Sequence, residues 1–205
     1  MKKPFLLIFI FSSFLLLGCK KETKEDIDFA FKTKPISSAV LKNVFIQLKN
    51  YGVYSTNLES RLINLNNDSL AQIMSPVIEN GRQLHAELLS FVSNSADWYA
   101  LAETTKDTII NMKDEQLAEL SLAFFASQYS RQQSNWTTII HNCVGVALGI
   151  AGLQAAFASL STTPSISSAI NILRWYGRRL VGYAAIAWMI WDFWDCMSSV
   201  TQRAT

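Results

Sequence analysis

Histidine is scarce in this chain, and the cysteine patterns that hold metals are missing. Two histidines, three cysteines and no Cys-x-x-Cys exclude the common zinc sites. Neither a phosphate-binding glycine loop nor a Gly-x-Ser-x-Gly elbow occurs, so two familiar signatures of catalysis are also lacking. Charge of one sign is not in real excess. The net charge is +2, and Lys2 and Lys3 supply all of it. Such a balance offers nucleic acid no basic stripe to grip. From Ser37 to Arg131 there is almost no two-residue alternation of the kind strands need, and no repeat of fixed period. The expectation is a single all-α domain without metal or cofactor.

A longer absence organises what is present. From Gln132 to Leu173 there is no Asp, Glu, Lys or Arg, and the titratable groups are His141 and Cys143. Within it, Cys143 to Leu160 reads as a helix apolar on every side. Val146, Ile150, Leu153, Phe157 and Leu160 form a bulky stripe, and Gly145, Gly149, Gly152 and Ala156 form a small one. Such a helix belongs inside a protein or a bilayer. As a span it is weak. Its seven strongly apolar residues contribute roughly −3 kcal/mol, which Gln154 and three glycines oppose. The next apolar block, Val181 to Val200, carries Asp192 and Asp195, which are costly deep in lipid. The expected fold is therefore a helical bundle around an apolar C-terminal hairpin, with bilayer insertion of that hairpin as the rival reading.

At the other end, Met1-Lys-Lys-Pro precedes the apolar run Phe5–Leu17, which closes in Leu16-Leu17-Gly18-Cys19. A positive n-region and a short apolar h-region make a secretory signal. The last four residues resemble the lipobox of bacterial lipoproteins: aliphatic at −3, small at −1, cysteine at +1. The resemblance covers residues 1–19. It implies cleavage after residue 18, a thioether-linked diacylglycerol on Cys19, and a lipid-anchored place in the cell envelope. Two or more acyl chains anchor stably where one is marginal, so the mature chain then needs no other membrane-holding element.

Residues 19–35 read as the lipidated cysteine and a solvated charged tether, since Lys20 to Lys34 carries nine charges of both signs. A charged stretch in this place also resembles the surface-export signal of Bacteroidota lipoproteins. Because lysines and acids alternate in it, the periplasmic and surface faces of the outer membrane both stay open.

Residues 36–205 then form the domain. Ser38 is expected to cap a helix with Val40, Leu41, Val44, Phe45, Leu48 and Tyr51 inside and Gly52 at its end. Thr56-x-x-Glu59 opens a second through Leu65. A third is broken at Ser75-Pro76, with Val77, Leu84, Leu88 and Phe91 inward. After the break at Ser93–Asp97, a helix from near Lys113 buries Leu117, Leu120 and Phe124, and like the helices before it reads as amphipathic, packed on something apolar and wet on its outer side.

Few residues carry chemistry. With Cys19 lipidated, Cys143 and Cys196 are an even pair in an oxidising compartment. A bridge closes about 54 residues and contributes on the order of 4 kcal/mol. A straight return helix places Cys196 too far on, so the bridge requires a bend near Gly177 or Gly182; bridged and free thiols both stay open. His141 and Cys143 point to different sides of a helix and read as packing. Asp192 and Asp195 share a helix face and are the one carboxylate pair worth considering for acid–base work, although no second constellation accompanies them. Arg174, Arg178 and Arg179 read as partners of Asp192, Asp195 or helix ends, the alternative being a phosphate or lipid headgroup. Trp175, Tyr176, Tyr183, Trp188, Trp191, Phe193 and Trp194 read as core or as a docking surface for membrane or partner. The functional expectation is a non-enzymatic envelope lipoprotein with a structural or protein-binding role, against a pore-forming or toxin-like alternative.

Overall fold

The computed structural model describes residues 29–52, 66–132, 157, 160 and 165–203, without the side chains of 129–132 and 197–203. Among these residues the chain forms eight helices and no strand: α1 Ser38–Tyr51, α2 Asn67–Ile73, α3 Ser75–Val92, α4 Ala96–Tyr99, α5 Glu103–Ile110, α6 Asp114–Gln132, α7 Ile166–Gly177 and α8 Tyr183–Arg203. The fold is an all-α helical bundle, as the periodicity predicts. The proposed second helix through Leu65 falls outside the described residues.

Local chemistry sets most of the boundaries. The cap of α1 is Ser37, one residue earlier than expected; its Oγ accepts from the Val40 N–H. Gly52 ends that helix at φ 88°, where a Cβ would be strained. Leu41, Val44 and Leu48 are buried, whereas Val40 and Tyr51 face solvent. Pro76 stands at the start of α3, where its missing N–H costs nothing, so α2 and α3 part at Met74. Val77, Leu84 and Leu88 are buried as expected.

The centre of the described bundle is α6, not an amphipathic helix wet on one side. Every residue from Gln116 to Ser127 is buried. The reason is tertiary: α3, α7 and α8 all pack on α6. The α3–α6 pair is the most extensive, with Arg82 on Asp114, Gly81 against Leu117, and Asn80 on Ser121. Of the ion-free stretch, Phe157 and Leu160 are fully buried. Phe157 packs against the rings of Phe31, Phe124 and Tyr176.

A second departure concerns the tether. Residues 29–35, assigned on composition to a solvated spacer, lie along α3. Phe29 stacks on Phe91 at 4.1 Å and Phe31 meets Phe124 at 4.7 Å. The Lys32 and Thr33 N–H groups donate to the two oxygens of Glu87, and Asn80 Nδ2 donates to the Lys34 carbonyl. Two aromatic anchors and one carboxylate thus outweigh a polar composition. Phe31→Ala is expected to lower unfolding stability by about 2 kcal/mol, less than the roughly 3–5 kcal/mol for a fully buried ring because Phe31 is half-buried. A denaturation midpoint that does not move would show the strap to be an ornament.

Candidate functional site

The richest polar cluster joins the start of α6 to the end of α7. Lys113 caps α6: its carbonyl accepts from the Leu117 N–H, and its own N–H donates to Gln116 Oε1 at 2.7 Å. That is the reach-back half of a capping box. Gln116 Nε2 then donates to the carbonyls of Gly177 (2.9 Å) and Arg179 (2.8 Å). One side chain therefore satisfies an α6 donor and two carbonyls where α7 runs out.

One turn on, Glu119 is fully buried and its Oε1 lies 3.1 Å from Arg179 Nε. The N–H is not aimed at the oxygen, so the contact is an ion pair without a hydrogen bond. Burial pushes the Glu119 carboxyl up to about 7, against the pull of Arg179. The Arg179 guanidinium sits 4.3 Å over the Trp175 ring. Tyr176 is wholly buried, its hydroxyl without a partner. Burial, then the Glu119 charge, holds it well above the usual phenol range. Beside this cluster an open cleft of about 280 Å³ is lined by Lys113, Glu115, Gln116, Arg179, Leu180, Val181 and Gly182.

Sequence reasoning missed Glu119 and Gln116. The signal was available: Glu119 is the one acid inside the apolar run Leu117–Ala126, and such an acid needs a partner wherever the helix is buried. The expected pairing of Arg179 with Asp192, Asp195 or a helix end is corrected, since its partner is Glu119. Arg174 and Arg178 carry no ion pair among the described residues. Asp192 and Asp195 do share a face of α8. Burial first, and Asp195 second, raise the Asp192 carboxyl, while a hydrogen bond from Trp188 opposes the rise. That hydrogen bond gives Asp192 a packing role. Of the aromatic run, Tyr176, Trp191 and Phe193 are buried. Phe45 packs on Trp191 and Trp194, and Phe125 meets Phe193 edge-on.

His85, not singled out from the sequence, is buried with Nε2 2.8 Å from the Ile109 carbonyl. Burial lowers its pKa, so the neutral ring donates that hydrogen bond and ties α3 to α5. No group of three His, Cys, Asp or Glu residues among those described could hold a metal ion. No described helix is long and apolar enough to cross a membrane. Cys19, His141 and Cys143 lie outside the described residues. Cys196 lies on α8, packed against the core. The chain breaks between Gly177 and Tyr183, the place where a bridge to Cys143 requires a bend.

No protein-family model matches the chain, and no curated protein or solved structure is significantly similar to it.

Proposed function

We propose that this chain is a lipoprotein of the bacterial cell envelope, a helical body held to a membrane by acyl chains on Cys19, with a structural or protein-binding role and no catalytic one. The observation that carries the reading is the register of Lys2-Lys3, the apolar run Phe5–Leu17 and Leu16-Leu17-Gly18-Cys19. Phe157 and Leu160 support a hairpin buried in protein over one inserted in lipid, since both are packed inside the bundle. A Cys143–Cys196 disulfide belongs to the same reading: the export route is oxidising, and Cys196 is held against the core.

Cys19→Ser is expected to abolish metabolic palmitate labelling and to move the protein from the membrane to the soluble fraction. Labelling that persists in this variant would falsify the anchor.

A further inference from the structure

Both oxygens of the fully buried Glu119 lack a hydrogen-bond partner. Among the described residues Arg179 is the one charge acting on it, and the Arg179 Nε–H, at 3.1 Å, is not aimed at the oxygen. A buried carboxylate so short of donors is costly, and the neutral acid costs far less. Tyr176, the neutral titratable group beside it on α7, has no partner for its hydroxyl either. Charges on the other packed helices are engaged elsewhere. On α3, Arg82 pairs with Glu79 and Asp114, and the neutral His85 donates to the Ile109 carbonyl. On α8, Asp192 faces Asp195 and Trp188.

The cover over this acid is slight. Glu119 lies one turn beyond Gln116 on α6 and against Arg179, and both of those side chains line the open cleft of about 280 Å³. Gln116 holds the Gly177 and Arg179 carbonyls, while Arg179 reaches back to Glu119 and lies over Trp175. Past these contacts Val181 rests on the core, but Leu180 is 95% exposed and nothing lies within 4 Å of a Cβ built on Gly182. The turn from α7 to α8 is thus fastened by Arg179 and Gln116. Moving it lets water from the cleft reach Glu119.

We propose that Glu119 is a pH-operated latch on the α7–α8 turn, closed while its carboxyl is neutral and opened when it ionises. Ionisation draws water in through the cleft, Arg179 passes into solvent, and residues 178–182 swing away from α6. Two titrations set the sense of the switch. The open form, with Glu119 hydrated, releases its proton at the ordinary 4.5, and the closed form holds it to about 7. The open fraction therefore grows about tenfold per pH unit between those values and levels off above the higher one. The latch does not depend on a lipid at Cys19.

The test is amide hydrogen exchange of the full chain, each rate corrected for the intrinsic effect of pH. The reporters stand at the two ends of the turn: the Arg179 N–H, held by the Tyr176 carbonyl, and the Ala185 N–H, held by the Gly182 carbonyl. Their protection is expected to fall on the order of a hundredfold from pH 5 to pH 8. Dilute guanidinium, which promotes openings that expose much surface, is expected to leave that fall unchanged. Glu119→Gln is expected to keep high protection at both pH values. Equal protection of wild type at the two pH values overturns the latch, and that result does not require the variant to fold. A fall that persists in Glu119→Gln assigns the titration to another group and overturns it too. A fall that steepens in guanidinium, in step with α1 and α2, is unfolding of the whole domain, which overturns a local latch.

Discussion

Gly81→Ala is expected to cost at least about 3 kcal/mol of unfolding stability, in the range of severe overpacking. A Cβ on Gly81 would lie 1.9 Å from the Leu117 carbonyl oxygen and 2.5 Å from its carbon. Those atoms are backbone inside a helix and cannot rotate away. Relief requires α3 and α6 to move apart, which loosens the core in which Leu84, Leu88, Leu117 and Leu120 are buried. The sign makes the experiment sharp. At an ordinary helix interior, glycine to alanine is favourable by about 1 kcal/mol, so a stabilised variant would refute the close approach. Gly182→Ala is the control, since nothing lies within 4 Å of its added carbon. Chemical denaturation of both variants decides the matter.

Glu119→Gln is expected to stabilise the protein at pH 8 and to change little at pH 4. The folded carboxyl titrates at about 7, against its ordinary 4.5. Between these values the unfolded chain has released the proton and the folded protein still holds it. Stability therefore falls as pH rises through this window, by about 3 kcal/mol at 1.36 kcal/mol for each unit. The deficit persists above the folded value. Glutamine has no proton to lose, so the variant keeps the stability that wild type loses. Arg179 does not reverse the outcome: its side chain is 29% exposed, so water and Trp175 accept it once the carboxylate is gone. Unfolding free energies at the two pH values test this; parallel pH profiles for wild type and variant would exclude Glu119 as the titrating group.

Much of the bundle was legible in the sequence. The helix period placed Leu41, Val44 and Leu48 inside α1 and Val77, Leu84 and Leu88 inside α3, because a stripe recurring every three to four residues has one way to face a core. Turn chemistry located the breaks at Pro76 and after Val92. Two readings went astray for a shared reason. α6 read as half-wet and 29–35 read as a solvated spacer, because local composition does not record how many neighbours a segment meets. Three helices crowd α6, and α3 presents Phe91, Glu87 and Asn80 to the strap.

The sequence by itself determined the helical class, the candidate lipid anchor and most apolar faces, since periodicity, caps and short signals are properties of neighbours along the chain. Only the tertiary structure decided that Glu119 meets Arg179 sixty residues on, that Gln116 ties off α7, and that Leu180 is left bare. Those facts depend on which helices come together. Burial then turns an unremarkable carboxylate into a group that titrates near neutrality.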